Sequence, residues 1–138
     1  MRARTGAERA EALAIRYAVF VQEQGIPVEI EQDGHDEEAD HVLILHAGRP
    51  VGTGRLRCLP GSLGKLERIA VLPSYRGQGI GRELVLALEA VARERDMKAV
   101  VLEPHDDLLA FYRKLGYRRI PGARTVGMHR LITMEKRL

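Results

Sequence analysis

Three glycines, Gly77, Gly79 and Gly81, fall within five residues of the run Arg76-Gly77-Gln78-Gly79-Ile80-Gly81, between a strand-like and a helix-like segment. Glycine at these positions permits positive φ and lets a ligand approach the main chain closely. A helix that opens there leaves its first N–H groups without acceptors. Together with the helix dipole they favour phosphate oxygens. Arg76 can add a charge-assisted bond. The run therefore has the chemistry of a pyrophosphate site.

Other uses of a glycine turn fit less well. A Walker A loop needs lysine and then serine or threonine after its last glycine, whereas Arg82 and Glu83 follow Gly81. A dinucleotide fingerprint counted from Gly77 needs glycine where Arg82 stands. Glu103 does end the next strand, where a ribose-binding acid would sit, but the hairpin-first order of elements disagrees with that fold. An ordinary glycine-rich connection is the remaining alternative. Asp33, His35, Asp36, Asp40 and His41 invite a metal site, but their spacing fits neither a calcium loop nor a zinc signature, and a solvated acidic loop is expected. Such a loop would attract a cationic amine.

The elements that must position these residues follow from periodicity. Residues 7 to about 24 read as a helix through Leu13, Ile15, Tyr17, Phe20 and Val21, ended by Gly25 and Pro27. Residues 41–46 and 51–59 read as a hairpin around Ala47, Gly48 and Arg49, and residues 65–72 as a third strand. After the glycine turn, Leu84, Ala87, Leu88 and Val91 form one apolar stripe, with Arg82, Glu83, Glu89 and Arg93 mostly off it. Residues 98–102 read as a short strand. Asp106 or Asp107 is expected to cap a helix ending at Leu115, with Gly116 at C′. Residues 117–120 and about 126–135 complete a mixed sheet with helices on its faces.

The 138 residues suit one domain, with 45% apolar and 30% charged residues. The single cysteine, Cys58, excludes an internal disulfide, suggests a reducing, cytoplasmic setting and reads as a small buried thiol. No apolar run approaches the ~20 residues that cross a bilayer, so no membrane association is expected. The net charge is +3, without lysine runs interleaved with aromatics, so no nucleic-acid partner is expected.

Leu66-Glu67-Arg68-Ile69-Ala70-Val71 followed by Tyr75-Arg76-Gly77-Gln78-Gly79-Ile80-Gly81 resembles motif A of the GCN5-related N-acetyltransferase (GNAT) superfamily. Ala110-Phe111-Tyr112-Arg113-Lys114-Leu115-Gly116-Tyr117 resembles its motif B. Ile15 through Gly25, with Gly52-Thr53-Gly54-Arg55-Leu56, is similar to the ElaA-like branch. The resemblance implies an α/β (α+β) domain: a mixed, mostly antiparallel central sheet flanked by helices on both faces. It implies acetyl-CoA as acyl donor, with no metal. The pantetheine arm would meet Ile69, Ala70 and Val71, and the pyrophosphate the amides of Gly77 to Arg82. Phe111 and His105 would contact the cofactor, His105 alternatively relaying a proton. Tyr112 matches the tyrosine that protonates the leaving thiolate, a fair role for a phenol of pKa about 10. Glu67 is the first choice of base, directly or through water.

Three functions remain at this level. One is N-acetylation of a primary amine on a small molecule or protein. The second is a non-catalytic acyl-CoA sensor. The third is an acyl-homoserine-lactone synthase, from Arg16, Val19, Phe20, Arg55 and Leu56. Those synthases are longer and lack a comparable Phe-Tyr motif. The family often forms dimers, so a homodimer stays open. His105 departs from the branch, and residues 121–128 are fewer than in many members, which would leave the acceptor site more open.

Overall fold

Residues 1–126 and 128–138 are described by a computed structural model. Thr5 opens the first helix with a reciprocal cap: its hydroxyl accepts from the Glu8 N–H at 3.1 Å, and the Glu8 carboxylate accepts from the Thr5 N–H at 3.0 Å. Helix α1 (Gly6–Arg16) does not continue as one helix to residue 24. It passes into a π-helical segment, Tyr17–Glu23, where the Gln24 N–H reaches back five residues to the Val19 carbonyl at 3.1 Å. Tyr17, Val19, Phe20 and Val21 are weak helix formers, so departure from α geometry costs little there. A single turn, α2 (Val28–Glu31), lies inside the segment expected to be loop.

Among the described residues six strands form: β1 (Asp40–His46), β2 (Arg49–Leu59), β3 (Leu63–Val71), β4 (Ala99–Leu102), β5 (Arg118–Val126) and β6 (His129–Arg137). Their order in the sheet is β1-β2-β3-β4-β6-β5, with β3 and β4 parallel and every other pair antiparallel. Ala47 and Gly48 join β1 to β2 with φ of 49° and 78°, the left-handed pair a tight hairpin needs. Strand β5 is longer than expected. It carries Pro121 and Gly122 past a register shift, which an edge strand tolerates because no second neighbour needs the missing N–H. The last expected strand, starting near 126, spans residue 127, which lies outside the described residues.

Helix α3 (Ile80–Glu94) packs on one face through Leu84, Leu88 and Val91, and α1 packs on the other through Ala12 and Ile15. Gly54 lets α3 come close, since a Cβ there would meet Leu88 Cδ1 at 2.7 Å. Glu89, off the apolar stripe of α3, is nevertheless buried. It is 1% exposed, accepts from the Tyr117 hydroxyl at 2.7 Å and from Lys136 at 3.0 Å, and is buried because those two donors satisfy it. Cys58 is exposed rather than buried, because it falls at the far end of β2, beside the turn that leads to β3. Asp106 and Asp107 lie within a 3-10 turn that leads into α4 (Leu109–Lys114), and neither caps it. Gly116, with φ of 95°, follows that helix as expected.

One departure from regular pairing positions the site. The β3–β4 ladder runs from Leu63↔Ala99 to Leu66↔Leu102 and stops, while β3 continues beside β2 to Val71. From Glu67 onward β3 therefore borders a gap.

Candidate active site

The glycine turn closes one end of that gap. Gly77 and Gly79 have φ of 77° and 82°, and a Cβ on either would touch nothing within 4 Å. Backbone conformation, not crowding, calls for glycine at both. Gly79 is the N-cap of α3 and offers no side-chain cap. The first intrahelical bond runs from the Glu83 N–H to the Gly79 carbonyl at 3.1 Å. The N–H groups of Ile80, Gly81 and Arg82 precede it, so a phosphate fits this end without displacing a protein partner.

These residues, with Val19, Ile69, Ala70, Val71 and Phe111, line a groove of about 460 Å³. Phe111 faces Gly81, with its Cζ 3.7 Å from where a Cβ would stand. Gln78 belongs to the turn but is exposed and outside the lining. Arg76 is held away from the amides. Its two terminal nitrogens donate to the two Glu23 oxygens at 2.6 Å each, and its Nε donates to the Val71 carbonyl at 3.0 Å. The turn is thereby braced against the π-helical segment.

A second cavity of about 380 Å³ lies beyond. Gln24, Ile69, Leu108 and Tyr112 line both, so they mark the junction. Tyr112 is buried on α4, with its ring edge-on to Phe111 at 4.9 Å and to Tyr117 at 5.7 Å. Burial pushes its hydroxyl up to about 12, so it stays protonated through the neutral range.

Glu67 lies in the second cavity. Its Oε1 accepts from Arg55 at 2.9 Å and from Arg57 at 2.6 Å, and Lys65 stands 3.3 Å from Oε2. Burial raises the carboxyl's pKa, but Arg55, Lys65 and Arg57 outweigh burial and hold it below its ordinary value. Glu103 takes Lys65 at 2.7 Å and Arg124 at 2.8 Å. His105 lies in this cavity and not in the groove, edge-on to His129 at 4.8 Å. His129, Arg57 and Arg124 had no motif or spacing to single them out. Only the sheet brings them together.

The acidic segment is only partly solvated: Asp33, Glu37 and Glu38 are exposed, whereas Glu31, Asp40 and His41 are buried. Arg55 is fully buried and donates to Asp33 at 2.7 and 2.9 Å and to Asp36 at 2.9 Å. Arg16, also buried, donates to Glu31 at 2.8 Å and to Asp36 at 2.6 Å. Arg68 joins them at Glu31 at 2.7 Å from a left-handed conformation, φ 54°, at a bulge in β3. The segment turns inward because two guanidiniums from α1 and β2 need partners there. Foremost through its bonds from Arg55, Asp33 is held far below the usual carboxylate range.

Residues 8–117 match the sequence model of the Acetyltransferase (GNAT) family. The chain is 46% identical over 110 residues to a protein of Bacillus subtilis (strain 168) whose name provisionally assigns it as an acetyltransferase, covering 78% of this chain and 74% of that one. Among solved structures, a provisionally named N-acetyltransferase from Lactobacillus plantarum superposes with a TM-score of 0.92 at 30% identity, covering 100% of this chain and 96% of the other. Escherichia coli ElaA superposes with a TM-score of 0.84 at 22% identity, over 96% and 92%.

Proposed function

The chain belongs to the Acetyltransferase (GNAT) family, and on that premise we propose that it transfers an acetyl group from acetyl-CoA to the primary amine of a small molecule or protein. The observation that carries this reading is Tyr112, a protonated hydroxyl at the junction of a phosphate-compatible groove and a charged cavity. Acetyl-CoA would lie along Ile69, Ala70 and Val71, with its pyrophosphate on the Gly77–Arg82 amides and Phe111 beside it. Arg76 would have to leave Glu23 and the Val71 carbonyl to reach a phosphate.

The amine nitrogen bonds to the acetyl carbon and the carbon–sulfur bond breaks. Tyr112 gives its proton to the departing sulfur. The proton lost by the amine leaves through a water ordered by Glu67. The attacking amine is neutral, and because three cations hold Glu67 ionised, its part is to order the water that takes a proton already loosened by attack, rather than to act as a strong base. His105 and His129 offer an onward path for that proton.

The test is thiol release from acetyl-CoA against a panel of amines: glucosamine 6-phosphate, spermidine, lysine methyl ester and n-butylamine. Amine-dependent release is expected with at least one. Acetyl-CoA binding without release from any amine would overturn the transferase reading and favour an acyl-CoA sensor.

A further inference from the structure

Two polar side chains line both cavities, Tyr112 and Gln24. The Gln24 side-chain oxygen, Oε1, is buried and has no hydrogen-bond partner among the described residues. A buried amide oxygen without a donor is costly and uncommon, and calls for a partner that the described residues do not supply.

The local fold explains how it reaches this wall. In the π-helical segment the ladder lengthens by one residue, ending in the bond from the Gln24 N–H to the Val19 carbonyl. That extra residue rotates the chain's exit relative to an α-helix, and such insertions cluster at functional sites. The Gln24 carbonyl also lies 3.4 Å from His129 Nε2, which ties the segment to β6 on the cavity side. The main chain at Gln24 is thus held from two sides while its amide oxygen has no partner.

We propose that Gln24 Oε1 accepts a hydrogen bond from the attacking amine and aims the nitrogen lone pair at the acetyl carbon, opposite the proton donor Tyr112. This rests on the acetyl-transfer reading. Gln24 would then be a catalytic residue of the acceptor side, with no bond formed or broken at its own atoms. An amine carries N–H groups to offer, whereas a hydroxyl acceptor would spend its single proton on this contact and have none to lose to water. Gln24 therefore also selects amines over alcohols.

The test uses the amine from the panel that turns over fastest, with Gln24→Leu and Gln24→Glu. Gln24→Leu is expected to lower kcat/KM for the amine ~10- to 100-fold, the usual cost of removing one buried partner, while acetyl-CoA binds within about twofold of wild type by calorimetry. Gln24→Glu keeps an acceptor oxygen and is expected to restore most of the rate, which a merely structural role would not do. If Gln24→Leu loses acetyl-CoA affinity as much as amine kcat/KM, the oxygen serves the pantetheine amide and the assignment is overturned. Unchanged kcat/KM in both variants also overturns it. Should Gln24→Leu fail to fold, equal rates for wild type and Gln24→Asn, whose shorter arm withdraws the oxygen, would overturn it as well. If wild type turns over no amine, transfer itself fails and the Gln24 assignment falls with it, an outcome distinct from the others because it appears before any substitution.

Discussion

The two cavities that meet at Tyr112 are built by opposite means. The groove is made largely of main chain: two left-handed glycines, three helix-end amides and the apolar walls of Val19, Ala70 and Ile80. The second cavity sets charged side chains from α2, β2, β3, β5 and the end of β4 among apolar ones such as Phe20, Ile30 and Leu131, with Glu31, Asp33, Glu67 and Glu103 each held by one or more cations. A site of amides offers one kind of partner, an anion, and depends on a few adjacent residues. A site of divided ion pairs depends on how each charge is shared, so moving one guanidinium alters several carboxylates together.

Tyr112 stands between the two, and its loss should separate them most sharply. Tyr112→Phe is expected to lower kcat by about 10²- to 10⁴-fold while leaving acetyl-CoA binding intact. With the hydroxyl pushed up to about 12, the wild-type rate should rise with pH as the amine deprotonates and show no falling limb below about pH 11. A falling limb near the ordinary tyrosine value would assign the acid elsewhere.

Next in size is Arg55→Leu, which leaves Asp33, Asp36 and Glu67 short of a buried partner. Denaturant unfolding is expected to lose about 3–5 kcal/mol. Where the variant still folds, its acetyl-CoA affinity should hold, and a parallel loss of affinity would erase the distinction between the two cavities.

Gly79→Ala attacks the groove alone. No atom crowds the new methyl, so the cost is conformational, about 1–2 kcal/mol for a left-handed residue. Calorimetry should find acetyl-CoA bound ~10-fold more weakly. Unaltered affinity would mean the amides are not the anchor.

The smallest effect is acid sensitivity. Asp33, Asp36 and Glu67 are all lowered in the folded chain. The unfolded chain binds more protons through this range, so their contribution is present above the ordinary carboxylate value of about 4 and is lost as pH falls through the folded values. The urea midpoint should drop between about pH 5 and pH 2, and Asp33→Asn should flatten that slope by a few tenths of a kcal/mol, since Asp33 is partly solvated.

How much of this was legible in the sequence follows the same division. The glycine turn, α3 and the chain of strands could be read because each depends on neighbours in sequence, and Gly77 and Gly79 have the positive φ their spacing implied. The ion pairs of the acidic segment were missed because its partners, Arg16 and Arg55, lie on separate elements, and no local pattern says that a guanidinium will be buried beside it. The burial of Glu89 was hidden for the same reason, with Lys136 47 residues away. The π-helical segment escaped because apolar periodicity does not distinguish a ladder one residue longer. His129 and Arg124 reach the cavity only through β5–β6 pairing.

The early end of the β3–β4 ladder gives the sheet an internal edge. Beyond Leu66, the amides of β3 that do not pair with β2 border the gap, with β4 no longer beside them. In amide hydrogen-exchange measurements these positions should exchange quickly in the free protein, while the amides of the same strand that pair with β2 stay protected. The contrast between the two sets of amides would be a readable imprint of the gap, and its disappearance on adding acetyl-CoA would report that a non-protein strand had taken the vacant side.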